Sequence, residues 1–293
     1  MAGGPGVDGF IVVDKPSGPT SHDVVAAVRR ATGMKKVGHA GTLDPMATGV
    51  VVVALGRATR LIRFVQDLPK EYLATARFGQ ATDTLDADGQ IIESQPMEVG
   101  ADEVRLAAAG FVGTIMQVPP MVSALKVDGR RLYELAREGK EIERQPRPVE
   151  IHEIEVREVG PPPFPEVVLR VRCGKGTYIR SLADDIAVTL GGRAHLVALR
   201  RTAVGHLDLA SSVPMTELPE HWANAIMTPL QGLAGMAGAT VDEETARAVS
   251  HGKALGIAPV AAGECFTVSD ERQRLLAVYT STGSGARPEV VLG

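Results

Sequence analysis

Apolar and polar positions along the chain follow two rhythms, one of period two and one near 3.6, and the switches between them mark out elements. GFIVVD (9–14) is short and β-branched, which predicts a strand, and KPSGP (15–19) breaks it. TSHD (20–23) has the form of a capping box closed by Asp rather than Glu. Val24, Val25, Val28 and Ala31 follow at helical spacing, and Gly33 suits a C-terminal stop. Val50 to Leu55 is continuously apolar, as a buried strand would be. Arg57 to Gln66 reads as helical. In KEYLATARFG (70–79), Tyr72, Ala74, Ala76 and Phe78 fall on one face and Leu73, Thr75 and Arg77 on the other, which is a strand. TDTLDADG (82–89) is a polar connection rich in Asp, and Ala101 to Ala109 predicts a helix.

Beyond residue 118 the character changes. From Val118 to Arg147 Arg and Lys alternate with acids, with a short helix expected in the middle around Leu132, Leu135 and Ala136. Val149–Val159 and Val167–Cys173 read as strands separated by GPPPFPE. Thr177 to Leu190 carries an apolar helical stripe of Ile179, Leu182, Ala183, Ile186 and Leu190, ended by Gly191-Gly192. HLVALRRT (195–202) opens another apolar stretch with two adjacent arginines. GLAGMAGAT (232–240) reads as a linker or a set of tight turns, followed by a helix ending near Gly252 and strands at 265–268 and 275–279. Strands and helices do not alternate strictly and neighbouring strands can pair antiparallel, so the class is α+β with a mixed, largely antiparallel sheet rather than a doubly wound fold. The expected division is 1–225 and a small module at 226–293.

Composition narrows the class without naming a function. A chain of 293 residues with 44% apolar and 23% charged residues matches an ordinary globular protein of about two domains. The net charge of −4 argues against a wholly basic nucleic-acid coat protein, yet leaves room for a local basic face. Cys173 and Cys265 show no metal-ligand spacing and no disulfide framework. MAGGPGVDGF lacks the cationic and apolar parts of a signal peptide, and no apolar run approaches the ~20 residues of a membrane span. The expectation is a cytoplasmic protein without a metal.

VGHAGTLDPMATGVVVVAL (37–55) holds a single carboxylate, Asp44, on the loop entering the buried strand. Asp before Pro is a common turn device; a carboxylate on a stiff loop is also a potential nucleophile or base. Lys15, ahead of a helix N-terminus, fits either a phosphate contact or a plain strand-to-helix turn. GKGT (174–177) is no P-loop, because position 169 is Leu where the first Gly belongs. Arg180 either forms a surface bridge with Asp184, four residues on, or reaches an acid elsewhere. Tyr72 is either packing or a platform for a flat ring.

Together, GFIVVDKPSGPTSHDVV (9–25), VGHAGTLDPMATGVVVVALGRATR (37–60), KEYLATARFGQATDTLDADG (70–89), PPMVSALKVDGRRLYELAREGKEIER (119–144), CGKGTYIRSLADDI (173–186) and HLVALRRT (195–202) resemble the bacterial tRNA pseudouridine-55 synthase family, in family order over most of residues 9–205. The resemblance implies a pseudouridine synthase fold with a C-terminal PUA-like RNA-binding domain, a thumb-like insertion at 119–147, and isomerisation of uridine 55 in the tRNA T loop without a cofactor. It implies Asp44 as nucleophile, Tyr72 stacking on the base, Arg180 pairing with Asp44, and Leu199 closing the apolar side of the pocket. It further implies that His39 fills the space left by the flipped base and that Lys15 supports the site. The T stem-loop phosphates would meet Lys126, Arg130, Arg131, Lys140, Arg144, Arg200 and Arg201, although for Arg137 and Lys140 a solvated face is the plainer reading. Val122 departs from the aromatic residue expected at that point of the insertion. Attack at C1′, removal of the C2′ proton and attack at C6 all remain open, and the enzyme is expected to be a monomer. A noncatalytic RNA-binding module and a nucleoside hydrolase using the same carboxylate are the competing readings; the hydrolase would release uracil, whereas an isomerase leaves RNA mass unchanged.

Overall fold

The computed structural model describes residues 6–121, 123, 126–127, 130–131 and 142–292. Val122, Lys140, Arg137 and the helix expected around Leu132 lie outside the described residues. Contacts divide the chain into two compact units. The first comprises 1–45, 49–68 and 203–293, and the second 46–48 and 69–202.

In the first unit, strand Gly9–Lys15 pairs antiparallel with Thr48–Leu55, from Gly9 opposite Leu55 to Lys15 opposite Gly49. Val37–His39 pairs with the same partner, and Val213–Pro214 runs parallel to the other edge of Gly9–Lys15. The predicted helix spans Ser21–Thr32. Thr20 caps it in a reciprocal box with Asp23, and Gly33 closes it at φ 69°, a left-handed geometry that glycine adopts without strain. A 3₁₀ turn, Gly56–Leu61, runs into helix Ile62–Asp67. The C-terminal residues build a four-stranded sheet in the order Gly238–Val241, Cys265–Asp270, Leu275–Ser281, Ala286–Val291, with the first pair parallel and the others antiparallel.

That small sheet shares a core with the N-terminal strands. Leu275, Val278, Val290 and Leu292 lie in one apolar cluster with Phe10, Val12, Val50 and Val52. Arg57 donates to the Leu292 carbonyl at 2.6 Å, and Arg63 pairs with Glu289 at 2.8 Å. Gly232 approaches the Phe10 ring so closely that a Cβ there would sit 2.1 Å from Cδ2.

In the second unit the strand order is Ala194–Val204, Lys70–Phe78, Glu166–Cys173, Arg147–Val159, Gly113–Gln117. The last three junctions are antiparallel. The alternation read from KEYLATARFG is present, with Tyr72, Ala74, Ala76 and Phe78 buried and Leu73 41% exposed. Helix Ile179–Thr189 buries Leu182, Ala183, Ile186 and Ala187, and helix Ala101–Ala109 packs against Arg147–Val159.

Candidate active site

In the first unit, Asp44 lies on the loop between strands Val37–His39 and Thr48–Leu55 and is partly exposed. Its neighbours on both sides are held through their own backbone atoms. The Ser21 hydroxyl, buried at the start of its helix, accepts from Leu43 N–H at 2.8 Å. Pro45 O accepts from Gly18 N–H at 2.9 Å and from the Lys15 ammonium at 3.0 Å. Lys15 also donates to Pro16 O (2.9 Å) and Pro19 O (2.8 Å). Its side chain is fully buried (0% exposed), so the phosphate reading of Lys15 gives way to that of a cation gathering three carbonyls around the loop. Gly18 supports this with φ 104°. His39 is half-buried at the end of its strand, and its ring meets that of His22 edge-on at 5.3 Å.

In the second unit, Arg180 occupies the first turn of helix Ile179–Thr189 and is 2% exposed. The surface bridge with Asp184 is not formed. Asp184 instead accepts from Arg193 Nε and Nη2 at 2.9 and 2.8 Å and from Ala194 N–H at 3.0 Å. Arg180 Nη1 lies 3.1 Å from Asp86 Oδ2 and donates to Thr84 O at 2.8 Å. The other Asp86 oxygen accepts from the Thr84 hydroxyl at 2.6 Å and from Asp88 N–H at 3.2 Å, so the carboxylate is shared among a cation, a hydroxyl and an amide. This turn is built under constraint. Leu85 has φ 59°, an unfavourable left-handed conformation for a branched side chain, and its carbonyl accepts from Leu196 N–H. Gly89 is required because a Cβ would fall 2.3 Å from Thr84 Oγ1 and 2.4 Å from Asp83 Oδ1. Asp86 is the residue the sequence reading missed; the signal was an acid-rich turn flanked by threonines, with nothing local to show which acid turns inward.

Tyr72 is buried on its strand, and Glu71 beside it ties two other strands. The Thr202 hydroxyl donates to Glu71 Oε1 at 2.8 Å and Arg170 Nη1 to Oε2 at 2.9 Å. The Thr202 hydrogen bond, helped by Arg170, holds the Glu71 carboxyl below its ordinary range. Leu199 and Arg201, two apart on Ala194–Val204, share a strand face and are both buried, Arg201 to 1% exposed. A phosphate contact needs a guanidinium in solvent, so Arg201 does not present the basic group expected of it. Arg200, half-buried, donates to the Thr48 hydroxyl at 3.2 Å. Arg144 donates to Pro119 O at 3.3 Å. Lys126 and Arg130–Arg131 belong to two short paired strands, with Lys126 opposite Arg131. Burial pushes the Cys173 thiol up to about 11, which removes it as a nucleophile. Among the described residues no cluster of His, Cys, Asp and Glu has metal-binding geometry, and no helix is long and apolar enough to cross a membrane.

The profile of the TruB family pseudouridylate synthase N-terminal domain matches residues 29–179, and that of the tRNA pseudouridylate synthase B C-terminal domain matches 180–232. The chain is 47% identical over 210 residues to tRNA pseudouridine synthase B of Opitutus terrae, covering 71% of this chain and 86% of that one. It is 44% identical over 287 residues to the protein of that name from Geotalea uraniireducens, covering 92% and 88%. Among solved structures, a chain of a Cbf5–Nop10–Gar1 complex superposes with a TM-score of 0.78 at 27% identity, covering 97% of this chain and 85% of that one.

Proposed function

The chain belongs to the TruB family of tRNA pseudouridine synthases, and from that premise we propose that it converts uridine 55 of the tRNA T loop to pseudouridine with Asp44 as the nucleophile or base. The reaction is an isomerisation. The N1–C1′ bond breaks, the uracil turns, C5 joins C1′, the C5 proton leaves and N1 gains one, so no electrons or atoms are exchanged with a cofactor. The observation that carries the assignment of Asp44 is its setting: a partly exposed carboxylate whose neighbours Leu43 and Pro45 are fixed by Ser21, Gly18 and Lys15. A reacting group held by its backbone keeps its direction.

The remaining roles follow the same reading. Arg180, braced by Asp86, is the catalytic cation of this reading. Tyr72 stacks on the released base, an interaction of about 1–3 kcal/mol where it has been measured in single-strand binders. Leu199 closes the apolar side, and His39 fills the space that the base vacates, offsetting part of the few kcal/mol that flipping costs. The insertion 119–147 and Arg200 contact T-arm phosphates, and residues 226–293 form a PUA-like RNA-contacting module. The enzyme works as a monomer in the cytoplasm, where tRNA is found.

The test is carbodiimide-dependent primer extension on T-loop RNA, wild type beside Asp44→Asn. The variant should lose pseudouridine formation by about 10³-fold or more and still retain tRNA on a filter. Pseudouridine at the wild-type rate from Asp44→Asn would remove Asp44 from the chemistry. Release of free uracil would replace the isomerase by a hydrolase.

A further inference from the structure

We propose that Gln117 is a positioning residue that seats the first turn of the Arg180 helix against the root of the 119–147 insertion. The inference rests on the reading of Arg180 as a catalytic group. Gln117 ends strand Gly113–Gln117 and is 1% exposed. Both ends of its amide are used on one residue. Nε2 donates to Tyr178 O at 3.0 Å, and Oε1 accepts from Tyr178 N–H at 2.8 Å. Tyr178 is the N-cap of helix Ile179–Thr189 and makes no side-chain capping bond of its own. Its carbonyl also accepts from Leu182 N–H at 3.1 Å, so both lone pairs are taken. One turn along, the Ser181 hydroxyl donates to Val118 O at 3.1 Å.

Three hydrogen bonds thus tie residues 117 and 118 to residues 178 and 181, and Arg180 lies between the two anchors. Val118 is the last residue before the insertion. Displacement of the insertion root is therefore felt by the turn that aims the guanidinium at Thr84 O and Asp86. Because Arg180 is itself buried between fixed acceptors, a small shift of that turn misplaces it. A misplacement of about 1 Å near a reacting centre can cost about 10²-fold in rate.

The experiment measures single-turnover pseudouridine formation on saturating T-arm RNA, the RNA dissociation constant by filter binding, and the melting temperature. The proteins are wild type, Gln117→Met and Gln117→Glu, each also made in an Arg180→Lys background. Gln117→Glu keeps the acceptor for Tyr178 N–H and loses the donor to Tyr178 O. The expected result for Gln117→Met is a rate lowered by about 10- to 100-fold with RNA affinity within about threefold of wild type. Gln117→Glu should fall between. In the Arg180→Lys background the same substitutions should add less than about twofold, since a residue acting through Arg180 has little left to lose. A wild-type rate in folded Gln117→Met overturns the proposal, and so does equal slowing in both backgrounds. Should Gln117→Met fail to fold, Ser181→Ala takes its place with the same pair of outcomes and a smaller slowing. A wild-type rate in Arg180→Lys alone overturns the catalytic reading of Arg180, a failure seen without any change at Gln117.

Discussion

The loop that carries Asp44 and the turn that holds Arg180 fix a charged side chain by opposite means. Around Asp44 the protein grips the backbone. One buried ammonium, one hydroxyl and one amide hold the residues on either side, and the carboxylate itself is left partly exposed. Around Arg180 it grips the charge. The guanidinium and the Asp86 carboxylate are both buried, and the carboxylate takes three donors. The first arrangement suits a group that must meet a substrate. The second suits a group whose aim matters more than its access, and it is more expensive to damage, since removal of one partner strands the other in a medium that solvates it poorly.

That difference can be broken by substitution. The largest effect on stability is expected for Asp86→Ala, which should lower the unfolding free energy in urea by about 3–5 kcal/mol. A loss under about 1 kcal/mol, the scale of an exposed pair, would erase the contrast. Lys15→Met leaves three carbonyls without that donor, and about 2–4 kcal/mol should be lost, together with activity. Lys15→Arg should not rescue it, because the larger fork has no room in a fully buried site. Gly89→Ala should cost about 1–3 kcal/mol through overpacking of the Arg180 turn, while the same change at Gly176, where a Cβ meets nothing within 4 Å, carries only the strain of its φ of 82°.

The smallest effect sharpens the comparison through pH. Asp185, on the Arg180 helix, has its carboxyl raised from 3.8 to about 6, first by burial and then by the neighbouring Asp184 charge. A folded value above the unfolded one means that the folded state holds the proton more tightly. The stability it contributes is therefore present below about pH 4 and is lost as pH rises through 6. Asp185→Asn should melt higher than wild type at pH 8, and the gap should close towards pH 4. A constant gap across that range would assign the effect to something other than titration.

Elements set by local pattern were legible in the sequence. The Thr20–Asp23 box, the alternation of the Tyr72 strand and the stripe of the Arg180 helix each depend on residues a few positions apart. Strands with no such signal were not. Every residue of Ile91–Ser94 is exposed, and Gly238–Val241 and Ala286–Val291 are short strands whose pairing partners define them. The site shows the same limit. Asp184 is visible as an i,i+4 partner of Arg180, whereas Asp86 stands 94 positions away and declares itself only in three dimensions. The burial of Arg201 follows from period-two alternation with Leu199 and was available in HLVALRRT, but the paired arginines read as a basic patch. The three-carbonyl cage of Lys15 has no sequence signature beyond its prolines.

The shared apolar cluster of Phe10 and Val12 with Val278 and Val290 has a consequence for synthesis. Phe10 leaves the ribosome 280 positions before Val290. At a translation rate of about 5–20 residues per second, the nascent N-terminal strand waits roughly 15–55 s for the last side chains that dry its face. During that interval its oily surface is open to chaperones and to other unfinished chains, so the yield of this protein in a cell should be governed by how well that early strand is sheltered until the chain is complete.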